Sequence, residues 1–405
     1  MRANTALKQS ELLEIQTLKP VFSTEELVFS ATSDFDAVKQ SWRNLEHRSV
    51  GHVFQSWAWV SNWHRCIGTT RNVSPLIITA TSRDGVLRAL FPMGIEARAG
   101  LRTLSWLGGE HADYKGPLID RDLHGTLSDE STRSMFGRAF AMAPGVDAVR
   151  LLDMPTQMDG LPNPLLAYRN QLSPVASHQL TLDDNFDALY KARRGSSSRK
   201  KLRQKQRRLE AAAGPSIMKL AATPHRRSKA ISTLIEQKRA RLKEMGVANM
   251  FAAPEVRAFY RTLAEQHPEM CQLSTFDAGE TSVAANWGLV WGDRYYYVLS
   301  TMTDGEHRVQ SPGQLHLNEL IAWSVERGLK VFDFTAGDES YKDDWCDTST
   351  DLFDVYLGLT IKGRFLSFGQ ARARSAKRYI KRSDRLWSLA IKLRKLVNEQ
   401  RAHTA

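Results

Sequence analysis

The chain has 405 residues, 42% of them hydrophobic and 25% charged, which is enough apolar material for two cores and excludes wholesale disorder. Its net charge of +12 sits in two segments: ten Lys or Arg and no acid over 191–208, and thirteen from Lys362 onward against Asp384 and Glu399. The remainder sums to −9, which argues against a general nucleic-acid binder, so no specific nucleic acid is expected as a partner. Cys66, Cys271 and Cys346 are odd in number and far apart, a pattern that suits neither a disulfide framework nor a zinc site, and no metal is expected. No apolar run approaches the roughly 20 residues that span a bilayer, so a cytoplasmic protein is expected.

After a polar leader, Glu26 to Ala31 reads as a short strand, and Phe35, Val38, Trp42 and Leu45 fall at helical spacing. A second helix is expected over Gln55 to Cys66, with Trp57, Trp59 and Trp63 serving the core. Two β-rich runs then flank Asp84-Gly85, a dipeptide suited to a tight turn, and a third strand, Leu101 to Leu107, leads into GGEHADYKGPLID. The same order returns about 200 residues later: helix in PEVRAFYRTLAEQH, strand in QLSTFDA, and two strands around Gly292-Asp293. Duplication of one α/β unit follows, with the halves meeting near Ser177 to Asp187. The second half opens on the basic helix, where only Leu202 and Leu209 offer an apolar stripe, so that helix is mostly solvated.

The chemistry-bearing stretch is Arg308 to Trp345. Pro312 and Gly313 suit a loop that becomes a helix start; Leu317, Leu320, Ile321, Ser324 and Val325 give one buried face, and Gly328 stops the helix. Val331 to Phe334 follows as a strand ending in Thr335-Ala336-Gly337-Asp338. Polar residues at a strand end and free N–H groups at the preceding helix start make an anion site that fits the pyrophosphate of coenzyme A.

Here the sequence resembles the GNAT superfamily, whose Q/R-x-x-G-x-G/A signature is matched by Arg308-Val-Gln310-Ser311-Pro-Gly313 with Ser for the first Gly. It also resembles the CelD/BcsL-like branch of acyltransferases linked to cellulose and exopolysaccharide synthesis. That similarity is carried by Pro312-Gly313, Asp333-Phe334-Thr335-Ala336-Gly337-Asp338 and Tyr341-Lys342-Asp343-Asp344-Trp345. In the first half, Asp113-Tyr114-Lys-Gly-Pro117-Leu118 looks like the D-Y-x-x-P-L element of the branch, shared loosely with FemAB-type peptidoglycan bridge enzymes.

The resemblance implies an α/β fold (α+β) of two tandem GNAT-like domains, each a mixed twisted sheet flanked by helices, plus a basic C-terminal helix. The expected divisions are a leader (1–27), a degenerate first domain (28–180), an acyltransferase domain (181–370) and the amphipathic helix (371–405). It implies acyl-CoA, acetyl-CoA in the simplest case, as donor, bound by Arg308, Gln310, Ser311, Gly313, Gln314 and Asn286, and a sugar-type acceptor amine or hydroxyl. Asp333 and Asp338 are the candidate bases, Tyr341 a proton donor to the leaving thiolate, and Lys342 a phosphate or oxyanion ligand. Asp338 equally fits a turn cap and Lys342 a surface charge. His307, His316 and Cys346 are minor candidates for the same chemistry.

Leu386, Leu389, Leu393 and Leu396 recur at helical spacing among basic residues, a stripe that either packs on the body or lies on an anionic membrane; the resemblance implies the inner membrane and polysaccharide-synthesis machinery as its partners in the second case. Two other functional readings stay open: a FemAB-like aminoacyltransferase using aminoacyl-tRNA, and a catalytically silent binding protein of the same fold.

Overall fold

The structure is a computed structural model that describes residues 24–383 and Leu386. The first half runs β1 (Val28–Thr32), α1 (Phe35–Glu46), β2 (Ser49–Val50), α2 (Trp57–Trp63), β3 (Val73–Thr81), β4 (Leu87–Arg98) and β5 (Leu101–Trp106). It continues through β6 (Leu118–Asp120), α3 (Arg121–His124), α4 (Asp129–Ala141), β7 (Ala148–Pro155), the small hairpin β8 (Gln157–Met158) and β9 (Leu161–Pro162), and β10 (Gln171–Thr181). The Asp34 carboxylate caps α1 by accepting from the N–H groups of Asp36 and Ala37, and Trp42 and Leu45 of its apolar stripe are fully buried. Ser56 caps α2, whose three tryptophans are buried in the core as their spacing predicts. Gly85 takes the positive φ of +83° that the β3–β4 turn requires.

The second half contains α5 (Phe186–Arg193), the basic α6 (Ser196–Ala213), β11 (Ser216–Leu220), α7 (Pro224–Glu244), α8 (Pro254–Gln266), β12 (Cys271–Ala278), β13 (Thr281–Trp291) and β14 (Arg294–Met302). Next come α9 (Pro312–Glu326), β15 (Val331–Ala336), β16 (Thr348–Gly358) and α10 (Ile361–Arg382). As the sequence implies, α6 buries only Leu202 and Leu209.

Each half builds an antiparallel meander, β1-β3-β4-β5 and β11-β12-β13-β14, that ends in one parallel pair, β5 with β7 and β14 with β15. The last strand of each half is then exchanged. β10 leaves the first half to pair antiparallel with β15, and β16 returns to pair antiparallel with β7; the two also pair with each other, so one continuous sheet runs through both halves. β10, which ends at Thr181, completes the sheet of the second half. Helices of both halves share one hydrophobic cluster, in which Trp42 and Trp59 join Leu234, Phe259 and Trp287. The Asn62 amide ties α2 to α8 by donating to Phe259 O at 2.9 Å.

The final described helix, α10, begins at Ile361 rather than at 371. The stripe Leu386 to Leu396 lies, Leu386 apart, outside the described residues, as does most of the leader.

Candidate active site

β14 and β15 stay paired only where Arg294, Tyr295 and Tyr296 face Val331, Phe332 and Asp333, and then diverge. The chain leaving β14 turns through 306–310 into α9. Ser311, with φ of 55° in the left-handed region, forms the corner, and Pro312 takes the first helical position, where its missing N–H costs nothing. The expected donor-binding residues gather at this corner, with one exception. Lys205 of α6 donates to Ser311 Oγ at 2.7 Å, so the basic helix lies directly on the helix start. Arg308 is held by Glu244 of α7 at 2.5 Å, and Gln310 Oε1 is buried with no partner. Gln314 is exposed beside Leu202, Tyr341 and Trp345, while a Cβ on Gly313 would meet only Met302 Sδ at 3.4 Å. Asn286 is the exception: it is buried in β13, its amide donating to Leu299 O at 3.0 Å and its carbonyl accepting from Tyr295 Oη.

The second cluster lies at the end of β15. Asp333 is completely buried; its Oδ1 accepts from Tyr114 Oη at 2.7 Å and from the Thr335 N–H at 2.8 Å, and its Oδ2 pairs with Arg294 at 3.0 Å. Two of these partners come from the strands of the second half and one, Tyr114, from the first half. Thr335 has φ of 59°, unusual for a β-branched residue and worth on the order of 1–3 kcal/mol of strain. Its N–H is fixed by Asp333 and its carbonyl by the buried Lys342 ammonium at 3.4 Å, which also donates to Gly337 O at 3.0 Å and pairs with Glu339 at 2.9 Å. Lys342 is thus built into the turn. Asp338, half exposed, faces His178 at 3.2 Å. Tyr341 packs its ring against Phe334, and burial pushes its hydroxyl pKa well up, so it stays protonated. His316 bonds Ser274 Oγ at 2.8 Å and burial drives its pKa down to about 3, a neutral core imidazole; His307 faces Glu306 at 3.6 Å; burial pushes the Cys346 thiol up to about 12, far from a thiolate.

The structure adds Asp113. The loop 107–117 of the first half crosses to the end of β15, anchored by Tyr114 on Asp333 and by Gln55 donating to Tyr114 O at 2.7 Å. There Asp113 hydrogen-bonds Thr335 with Lys115 and Lys342 nearby, and remains partly accessible. Burial raises its pKa to about 7; the Thr335 hydrogen bond and the two lysines oppose the rise, and the buried Asp333 carboxylate adds to it. Sequence reading placed Asp113 in a motif without giving it a role, because its environment is assembled from both halves. Lys238 of α7 is a second residue without a sequence signal: it donates to Ser300 O on β14 at 3.1 Å, and burial lowers its pKa.

On the other side of this loop a cavity of about 500 Å³ lies where β5 and β7 diverge as β14 and β15 do, and Arg374 of α10 closes part of its wall. Trp63 and Trp106 line it, each almost completely buried with an indole N–H that has no partner, as does Arg150, whose Nε is also unpartnered. Glu96 pairs with Arg150 at 3.3 Å and Lys115 with Asp153 at 3.1 Å along its wall. Asp153 has φ of 53°, so both diverging strand pairs carry a left-handed non-glycine residue at their ends.

The fold is that of two tandem GNAT-like α/β domains. Residues 196–343 match the family described as acetyltransferase (GNAT) domain. Among solved structures, the chain is similar to FemX, with a TM-score of 0.56 at 11% identity over 81% of this chain and 97% of that one. It is also similar to a conserved protein of unknown function from Bacteroides thetaiotaomicron, with a TM-score of 0.50 at 10% identity over 82% of this chain and 100% of that one. A tandem GNAT protein from the clavulanic acid biosynthesis pathway aligns with a TM-score of 0.44 at 10% identity, over 82% of this chain and 98% of that one. No curated protein matches the chain in sequence.

Proposed function

We propose that the protein transfers an acyl group from acyl-CoA to an amine or hydroxyl of a sugar-type acceptor, with Asp113 as the general base. The observation that carries this reading is the position of Asp113: a partly accessible carboxyl with a pKa near 7, delivered by one half to the diverging strand end of the other. The Ser311-Pro312 corner, with its helix N–H groups and Lys205, suits the donor's phosphates. The cavity behind the Asp113 loop suits the acceptor, since tryptophan faces with free N–H donors and paired charges match a polyhydroxylated ring. The sequence resemblance to the CelD/BcsL-like branch supports a precursor of cellulose or another exopolysaccharide as that acceptor.

In the step itself the acceptor's nitrogen or oxygen attacks the thioester carbonyl carbon. Asp113 takes the acceptor's proton and the C–S bond breaks; Tyr341, kept protonated by its raised pKa, donates a hydrogen bond to the departing thiolate, which takes its proton from solvent as Asp113 returns one to it. Asp333 then acts by position: it holds Thr335, and through it Asp113, at the strand end.

The test is the rate of thiol release from acetyl-CoA with amino-sugar acceptors. Asp113→Asn lowers kcat by about 10²–10⁴ and leaves donor affinity unchanged. In the parent the rate rises through pH of about 7, where Asp113 loses its proton, and levels above it. An unaltered kcat in the variant sinks the assignment.

A second reading has its own observation. The exposed basic face of α6 is continuous with the donor corner through Lys205, a surface that fits the phosphates of an aminoacyl-tRNA donor, in keeping with the FemAB-like resemblance. Salt-sensitive tRNA binding without any CoA binding selects that reading.

A further inference from the structure

We infer that the outer face of α10 is a docking surface for an anionic lipid bilayer. The helix is pinned to the sheet along one side. Thr360 caps it, accepting from the Gly363 N–H at 3.1 Å and donating to Asp147 at 2.8 Å. Gly363 is buried so tightly that a Cβ there would stand 1.7 Å from Asp147 O. Arg374 reaches inward to both Asp153 and Asp354.

These anchors fix which residues face away. At 100° per residue, Ile361, Phe365, Phe368, Arg372 and Tyr379 share one stripe opposite the buried Gly363 and Ser367. Four of them are large and apolar or aromatic, and they are 74%, 78%, 63% and 71% exposed for Ile361, Phe365, Phe368 and Tyr379. A water-facing helix rarely presents such a row.

Charge identifies the occupant. Ile361–Arg382 contains eight Lys or Arg and no acid. Lys362, Arg364 and Arg372 are exposed around the stripe, and the Arg372 guanidinium lies over the Phe368 ring at 5.1 Å. Apolar side chains rimmed by cations suit an interface where rings enter the acyl boundary and ammonium and guanidinium groups meet lipid phosphates. A second copy of the same helix would set like charge against like charge. The surface is separate from the Asp113 site and its occupancy does not bear on the donor reading.

The experiment is co-sedimentation of the full-length protein with vesicles of phosphatidylglycerol and phosphatidylcholine, and with phosphatidylcholine alone. It is run beside a Phe365→Ser/Phe368→Ser double variant and a truncation after Ser383. The parent binds the anionic vesicles and added salt weakens it. The double variant loses at least about tenfold in partitioning, since two rings no longer leave water, and it stays folded because both positions are exposed. The truncation retains measurable binding that the double substitution removes. The proposal is overturned if the parent fails to bind anionic vesicles, if the double variant binds as the parent does, or if the parent ignores vesicles and dimerises through this face instead.

Discussion

Asp333 has three donors on its two oxygens and no contact with solvent, whereas Asp113 has one hydroxyl partner and partial access. Both carboxyl groups are raised in pKa mainly by burial, but only Asp113 is placed to exchange a proton with a ligand. The shift has a measurable consequence for stability. The folded pKa of about 7 lies above the ordinary value of 3.8, so the fold favours the protonated acid. The stability it contributes is full below the ordinary value, falls as pH rises through about 7, and stays lost above that. Asp113→Asn has no proton to lose. Thermal denaturation at several pH values should therefore show the variant's Tm gaining on the parent's between pH 5 and pH 8. A difference that stays constant across that range would mean that Asp113 titrates normally. With Asp113 as the proposed base, activity would rise over the same pH range in which this stability is lost.

Elements whose signals are local were legible in the sequence. The α9 stripe from Leu317 to Val325, the Pro312 start, the Gly328 stop and the turn at Gly292 appear in the structure where periodicity and turn chemistry set them. Lys342 and Asp333 were visible as residues of a motif, but their surroundings were not. Whether a lysine after a strand end points to solvent or donates to two carbonyls beneath it depends on the bulge at Thr335, and that depends on β10, which is more than 150 residues away in sequence. The exchange of β10 and β16 escaped for the same reason, since each strand's own pattern is the same whichever half it completes. α10 shows how an element's seat rests on one position. Gly363→Ala would place a methyl on Asp147 O, and overpacking of this kind typically costs about 1–3 kcal/mol. A fall in denaturation midpoint is the expected result, and an unchanged midpoint would mean that α10 is not held at its start.

At the scale of the whole molecule, the two halves form one body. Neither sheet is complete without the strand donated by the other, the helices of both share a hydrophobic cluster, and the Tyr114–Asp333 bond joins them at the site. The two diverging strand pairs are furnished differently. One diverging strand pair carries the helix corner with Lys205, and the other opens a cavity walled by Trp63 and Trp106. The basic helices α6 and α10 lie apart, one on the Ser311 corner and one on the outer face. Among the described residues no helix is long and apolar enough to cross a membrane. The central claim is that the corner at Ser311 receives an acyl-CoA. Calorimetric titration of the full-length protein with acetyl-CoA and longer acyl-CoAs tests it, beside a Gly313→Trp variant that fills the space next to Met302. Binding by the parent and none by the variant is the predicted result. No binding by the parent, or equal binding by both, would contradict a donor site at this corner.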